Sequence, residues 1–223
     1  MIDLAPLWIT LRLAGTTALI LLVLATPLAW WLARSRNRFS TFIEAVVALP
    51  LVLPPTVLGY YLLVALAPQG VLGSGWHWLT GGRLAFTFMG LVIGSVVYSL
   101  PFAVQPLQTA FEGVGSGPLQ AAATLRAGPL DRFIHVVLPL ARRGFLSALV
   151  LSFAHTVGEF GVVLMIGGNI PGVTQVLSVA IYDHVEALDY HTANVYSIGL
   201  LAFAFAVMWL LYTLNRRHAR WQP

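Results

Sequence analysis

The sequence predicts an all-α integral membrane protein with five transmembrane helices. Of its 223 residues, 58% are hydrophobic and only 9% are charged, whereas roughly a quarter of the residues are charged in an ordinary soluble domain. Five uncharged or nearly uncharged runs reach the length that crosses a hydrocarbon core, about 20 apolar residues. These predicted spans are residues 13–32, 42–66, 84–107, 144–166 and 195–214.

The positions of the arginines predict how these helices are oriented. All twelve basic residues are arginine, and ten of them follow the first, third or fifth predicted span. Because positively charged loops stay on the cytoplasmic side, we expect the N-terminus outside and the C-terminus in the cytoplasm. Residues 118–138 and 173–190 are apolar but carry charges that each cost about 2.5–3.5 kcal/mol at a helix centre. We therefore place both segments outside the bilayer, and residues 1–223 form a single multi-pass membrane domain.

Missing residue types exclude several kinds of chemistry. The sequence has no lysine, so it lacks the lysine that binds ATP phosphates in Walker motifs and the lysine that forms Schiff bases. It has no cysteine, which excludes disulfides, thiolate metal sites and cysteine nucleophiles. We predict no catalytic residue. We also predict no metal site, because His155 and Glu159 are two ligands on one helix with no third candidate nearby, and no nucleic-acid partner, because membrane orientation explains the arginines. Any ATP hydrolysis must take place on another polypeptide.

Prolines interrupt the second predicted span at Pro50, Pro54 and Pro55. Each proline lacks a backbone N–H and frees a carbonyl that lipid cannot satisfy. Such a segment must face other protein groups or a water-filled cavity. Two roles remain open for these prolines and the adjacent Thr56, namely a packing kink or part of a transport pathway and its gate.

The segment between the third and fourth spans, residues 113–139, is too long for a simple connector. Ser116 predicts the cap of a short helix that starts at Pro118. Gly128 breaks this helix, and Pro139 is expected to end the second helix that follows. The alanine-rich surface of the first helix permits close approach of another protein. An interfacial hairpin and a docking element for a soluble partner both fit this pattern.

Several short motifs follow one another in order along nearly the whole chain. They are Ala25-Thr26-Pro27-Leu28-Ala29, residues 49–59, Gln120-Ala121-Ala122 with Gly128 and Leu138-Pro139, Gly158-Glu159-Phe160-Gly161, and residues 167–172. In this order they resemble the permease subunits of ABC importers, in particular those of the molybdate type. The motif at Gln120 resembles the coupling-helix loop that this family inserts into its ATPase. Gln120 replaces the glutamate usual in that loop, and Arg126 replaces a glycine.

The resemblance implies a transporter of several subunits in the cytoplasmic (inner) membrane. Two copies of this chain would sit in the lipid, with two ABC ATPase subunits inside and a periplasmic or lipid-anchored oxyanion-binding protein outside. ATP and magnesium would bind to the ATPase, with no cofactor on this chain, which would be a transport subunit and not an enzyme. The implied ATPase contacts are Gln120, Ala121, Ala122, Ala123, Arg126, Ala127, Gly128 and Pro129. Molybdate is the favoured cargo, and tungstate, sulfate and thiosulfate are alternatives.

Glu159 is the one acid deep inside a predicted span. His155 lies four residues earlier and is therefore expected on the same helical face. An ionisable residue at this depth predicts a functional role, and the candidates are a gate, a charge partner for Arg12, a proton site and a neutral buried acid. We favour a structural or gating role, because a free carboxylate in the pathway would repel an anionic cargo.

An acidic helix is predicted on the outer face, with Asp183, Glu186 and Asp189 on its polar side. Apolar residues that include Leu177 and Leu188 are available for burial on its other side. A solvated cap and a docking surface for a binding protein both fit this helix.

Two other classes of membrane protein also place polar residues inside their spans. A serine intramembrane hydrolase needs a serine close to a histidine base, and neither Ser74 nor Ser116 has a suitably placed histidine in the predicted topology. A metal-dependent hydrolase needs a His-Glu-x-x-His motif, which the sequence lacks. A secondary transporter usually has inverted repeats and midplane charges. The permease interpretation is favoured over both.

Overall fold

The computed structural model describes residues 3–35 and 37–219, with side chains as far as Leu214. Throughout these ranges the regular elements are helices. They are α1 (Ala5–Arg34), α2 (Arg38–Val52), α3 (Pro55–Leu66), α4 (Val71–Thr80), α5 (Phe88–Val114), α6 (Gly117–Thr124), α7 (Pro129–Arg132), a π-helical turn (Phe133–Val137), α8 (Leu138–Gly158), α9 (Gly161–Gly167), α10 (Leu177–Glu186) and α11 (Tyr190–Ala219).

Five helical stretches in the described residues are long and apolar enough to cross a membrane, which confirms the predicted all-α class with five apolar helices. They are Ala5–Arg34, Pro55–Thr80, Phe88–Val114, Pro129–Gly158 and Tyr190–Leu214. The first, third and fifth lie close to their predicted positions. The second and fourth differ from the sequence interpretation, and both differences come from breaks in the helical hydrogen bonding.

The predicted span 42–66 is two helices in the structure. Helix α2 ends where the Leu53 N–H bonds the Leu49 carbonyl at 3.0 Å, and α3 starts where the Val57 N–H bonds the Pro54 carbonyl at 3.0 Å. Pro54 and Pro55 have no N–H with which to continue the ladder. The chain therefore bends at residues 53–54 instead of crossing as one rod.

The predicted span 144–166 is also interrupted, because α8 ends at Gly158 and α9 begins at Gly161. The expectation that Pro139 ends a helix is wrong. The π-helical turn precedes it, with the Leu138 N–H bonded to the Phe133 carbonyl five residues earlier. This wider turn accommodates the proline ring, which would otherwise clash with a carbonyl of the preceding turn. The helix therefore continues from the loop directly into α8.

Helices α1, α5 and α8 form the core of the bundle. Small side chains on α1 allow close approach of its neighbours, and the fully buried ones are Ala14, Ala18, Ala25 and Ala29. At the end of the bundle that carries Arg34, Arg38, Arg132 and Arg142, called the arginine-rich end below, Trp30 and Phe111 meet edge to face with ring centroids 5.3 Å apart.

Helix α10 covers the opposite end of the bundle. The Leu177 N–H donates to Thr10 Oγ1 of α1 at 2.8 Å, and the Tyr196 hydroxyl donates to the Asp3 carbonyl at 2.7 Å. Of the five apolar stretches, the one in α11 buries the smallest share of its residues within the described chain. Most of α11 therefore faces lipid or another polypeptide.

We predict that Gly144→Ala destabilises the bundle by about 1–3 kcal/mol, as overpacking of a helix contact does. A Cβ at this position would clash with the Cβ of Ala110 and would lie 2.9 Å from the Pro106 carbonyl oxygen of α5. Gly15→Ala is the matched control, because a Cβ there meets open space in the described structure. The measurement is the thermal unfolding midpoint of the detergent-purified variants. Equal midpoints for the two variants would contradict the close contact of α5 with α8.

Candidate functional site

The two helix breaks lie side by side. A Cβ added to Gly161 would lie 2.7 Å from the Cβ of Pro55, and one added to Gly59 would lie 2.9 Å from the Cβ of Met165. From the first contact to the second, α3 advances from Pro55 to Gly59 and α9 advances from Gly161 to Met165. Because both helices advance in the same direction, α3 and α9 run parallel and start next to each other. The structure thus brings together two segments that are about a hundred residues apart in the chain.

Glu159 caps the second of these two helices. Glu159 is only 7% exposed, and its Oε1 accepts a hydrogen bond from the Val162 N–H at 2.8 Å. The Ser178 hydroxyl of α10 donates to the Glu159 carbonyl oxygen at 2.5 Å. A carboxylate at a helix start satisfies a free N–H and stabilises the positive end of the helix dipole. Glu159 therefore holds the break together.

Arg12 is not the charge partner of Glu159 that the sequence allowed. Its guanidinium lies over the Phe88 ring, with Cζ 4.5 Å from the ring centroid. Among the ion pairs of the described residues, none joins Arg12 to a carboxylate.

His155 and Glu159 have different partners, so the expected shared helical face is wrong. The helix ends at Gly158, and Glu159 has an extended backbone. His155 Nδ1 lies 2.9 Å from Ser99 Oγ, and its ring stacks on Phe102 with centroids 3.9 Å apart. Sequence reasoning missed this contact because Ser99 lies 56 residues away on another helix.

A serine and a histidine in contact are two of the groups that an intramembrane hydrolase needs. Ser99 is only 1% exposed, however, and its hydroxyl is shared with Thr156 Oγ1 at 3.1 Å. A buried hydroxyl with two protein partners is not placed to attack a substrate. The cluster instead links α5 to α8.

The proline candidates take two different positions. Pro50 is buried within α2, whereas Pro54, Pro55 and Thr56 are exposed at the break. Val52 beside them is 82% exposed. This break therefore presents one open side, while its other side contacts α9.

The predicted coupling hairpin has one buried face and one open face. Leu119 of α6 is buried in the core, whereas Gln120, Ala121 and Ala123 are exposed and Ala122 is half-buried. Ser116 is the N-cap residue of α6, but its side chain makes no capping bond, so the predicted side-chain cap is wrong. The Gln120 N–H bonds the backbone carbonyl of Ser116 at 2.9 Å as the first bond of the helix. An open alanine surface of this kind suits contact with a second polypeptide.

Arg126 ends α6 in a strained conformation. Its φ is 61°, the Arg126 N–H bonds the Ala123 carbonyl at 3.0 Å, and the Ala127 N–H bonds the Ala122 carbonyl at 3.1 Å. This bonding pattern is a helix end that favours glycine at the left-handed residue. It explains structurally why arginine is an unusual residue here. After the turn, Ala127 is half-buried, and Gly128 and Pro129 are exposed.

The acidic residues of the opposite end have partners within the chain. Asp183 accepts hydrogen bonds from Asn169 Nδ2 at 2.8 Å and from Gln175 Nε2 at 2.8 Å. Hydrogen bonds from Thr192, with a smaller contribution from nearby His184, hold the pKa of Asp189 below its ordinary value. Leu177 is buried as expected, but Leu188 is 72% exposed, because it follows the last turn of α10 with a positive φ of 60°.

Glu186 accepts a hydrogen bond from the Tyr182 hydroxyl at 2.5 Å. This bond and the negative charge of Glu186 raise the pKa of the Tyr182 hydroxyl. The acidic side of α10 is thus an ordered, charged surface.

Comparison with known proteins identifies the family. The family described as binding-protein-dependent transport system inner membrane component matches residues 25–220. The chain belongs to this family. As a member, it is a multi-pass permease of a binding-protein-dependent transport system.

Two relatives of this permease carry informative names. It is 59% identical to the molybdenum transport system permease protein ModB of Azotobacter vinelandii, over 96% of this chain and 95% of the relative. It is 32% identical to the sulfate transport system permease protein CysT of Escherichia coli K12, over 86% of this chain and 69% of the relative.

Solved structures show the same fold in this permease. A bacterial alginate ABC transporter, crystallised in complex with its alginate pentasaccharide-bound periplasmic protein, matches with a TM-score of 0.75 and 17% identity. The match covers 96% of this chain and 78% of that chain. At this identity the likeness concerns the fold alone.

We predict that Glu159→Ala speeds hydrogen exchange at the Val162 amide by about tenfold or more, because a buried N–H left unpaired costs about 1–3 kcal/mol. Glu159→Gln is the matched control, since its amide oxygen still accepts the bond. Exchange mass spectrometry on peptides that cover 161–167 measures the effect. Unchanged exchange in the alanine variant would show that the carboxylate does not hold α9.

Proposed function

We propose that this chain is the permease subunit of an ATP-driven ABC importer that carries molybdate across the cytoplasmic membrane. The observation that carries the proposal is the 59% identity with a molybdenum permease over nearly the full length of both chains. The identity with the sulfate permease is 32%. Sulfate, thiosulfate and tungstate therefore rank below molybdate as cargo.

The proposed orientation places the arginine-rich end in the cytoplasm and the N-terminus outside. The charge distribution supports this choice, because basic residues near membrane helices remain on the cytoplasmic side. The hairpin of α6 and α7 then faces the ATPase subunits, which bind ATP and magnesium. The acidic surface of α10 faces the oxyanion-binding protein.

The proposed pathway runs between two copies of this chain. The exposed break at Pro54–Thr56 and the open face of α11 supply surfaces that a second copy would cover. Closure of the ATPases would push on both hairpins, and rigid-body rotation of the two copies would open the pathway alternately to each side. Glu159 would hold the break in position and would not contact the cargo, since its carboxylate accepts a hydrogen bond from the Val162 N–H of the same chain.

A weakly binding pathway suits a doubly charged cargo. Tight binding inside the membrane would trap the anion, because conduction needs sites that release it readily. The exposed hydroxyl-bearing Thr56 and the backbone at the break offer polar contacts without a fixed positive charge. High affinity would belong to the separate binding protein.

We predict that the reconstituted complex of this chain, its ATPase and its binding protein accumulates molybdate in proteoliposomes when ATP is supplied. Half-maximal stimulation should require about tenfold less molybdate than sulfate, a difference of about 1.4 kcal/mol. Radiolabelled uptake and phosphate release are the measurements, with tungstate as a third anion. A preference for sulfate, or uphill transport by this chain alone, would contradict the proposal.

We predict that Ala122→Asp abolishes transport or prevents co-purification of the ATPase while membrane insertion stays normal. A charged side chain with no room in the contact would hold the two surfaces apart. Ser116→Asp is the matched control, because it adds the same charge at an exposed position of the same hairpin.

Normal transport by Ala122→Asp would remove the coupling assignment.

The natural absence of cysteine also permits a topology test with a single cysteine at Ala121. Labelling of this cysteine by an impermeant reagent from the periplasmic side would overturn the orientation.

A further inference from the structure

A groove opens at the arginine-rich end between α1 and the base of the hairpin. Its volume is about 650 Å³, within the range of roughly 300–1,000 Å³ that small-molecule sites occupy. The lining includes Thr26, Pro27, Trp30 and Arg34 of α1, Leu119 of α6 and Arg132 of α7. Pro129 belongs both to this lining and to the expected ATPase contacts, whereas the function proposed above assigns no role to Arg34 or Arg132.

Two arginines define the polar part of the groove. Arg34 comes from α1 and Arg132 from α7, and both side chains line the groove. The Arg34 guanidinium lies 3.7 Å from the centroid of the Trp30 ring, which holds it in place and leaves the N–H groups at its edge available. Arg132 Nε donates a long bond of 3.4 Å to the Gly128 carbonyl.

The acids near this end have other partners. Asp131 contacts His135 at 2.6 Å, and one amide, Gln108 Nε2, binds both Glu44 and Glu112. Among the ion pairs of the described residues, none includes Arg34 or Arg132. The groove therefore carries two positive charges that no acid of the described chain neutralises.

The apolar part of the groove follows α1 into the membrane. Thr26, Trp30 and Arg34 are spaced four residues apart, so they form one stripe along the helix. Pro27 beside this stripe is exposed, and Val23, one turn deeper, is 72% exposed. A ligand with a negative head and an apolar tail matches this arrangement.

We propose that the groove binds an anionic phospholipid, with the phosphate between Arg34 and Arg132 and an acyl chain along Pro27 and Val23. Arginine pairs suit phosphate geometry, and basic pockets between helices at a membrane boundary bind anionic headgroups. Leu119 of α6 lines the groove, whereas Gln120 and Ala121 are exposed and lie outside its lining. A bound lipid and a docked ATPase would therefore contact different residues of α6.

The test is native mass spectrometry of the purified permease–ATPase complex, titrated with phosphatidylglycerol or with phosphatidylcholine of the same chains. Arg34→Gln and Arg132→Gln should each weaken phosphatidylglycerol binding about fivefold, the effect of one basic side chain near an anionic headgroup. Arg142→Gln is the matched control, because Arg142 is exposed at the same end but lies outside the groove. Its binding should equal that of the unmodified complex.

If the unmodified complex bound phosphatidylglycerol and phosphatidylcholine with equal affinity, that result alone would overturn the proposal. Full retention of phosphatidylglycerol by both groove variants would also overturn it, as would displacement of the lipid by millimolar inorganic phosphate. Loss of the ATPase from the groove variants with unchanged lipid binding would assign the arginines to the subunit interface instead. Molybdate uptake is measured separately, so a failed lipid test leaves the proposed function intact.

Discussion

Backbone groups inside a hydrocarbon layer must find hydrogen-bond partners within the protein, and this constraint shapes both helix breaks. At the first break, the Pro54 carbonyl accepts the first bonds of α3. At the second, the carboxylate of Glu159 caps α9 and the Ser178 hydroxyl satisfies the Glu159 carbonyl. The two breaks can then pack against each other through Pro55 and Gly161. An acid deep in an apolar segment is thus explained by the backbone it satisfies.

The hairpin leads directly into a long helical stretch. The helical stretch from Pro129 to Gly158 is about 45 Å long at 1.5 Å per residue, and the π-helical turn lets it pass Pro139 without a break. It joins the exposed hairpin to the residue before Glu159. In the proposed mechanism, this continuous helix would carry a displacement of the hairpin toward the paired breaks, whereas a flexible loop would absorb it.

The two ends of the bundle differ in charge, with acidic residues on α10 and arginines at the arginine-rich end. The acids of α10 are held by amide and hydroxyl donors of the same end, which keeps that surface ordered and negative. The arginine-rich end has few acids, and those near the groove are engaged elsewhere. The arginine-rich end consequently carries an excess of positive charge, part of which lies in the groove beside α1.

The sequence by itself determined the class, the number of apolar helices and the short helix that follows Ser116, because these depend on local hydrophobicity, charge and helix-breaking residues. It also located the prolines and Glu159 as unusual. Only the tertiary structure decided what they do. The pairing of Pro55 with Gly161, the contact of Ser99 with His155 and the position of Arg12 over Phe88 join distant residues. Whether Pro139 ends a helix depended on a π-helical turn that sequence periodicity does not reveal. Such contacts follow from how helices approach one another, and no spacing along the chain encodes them.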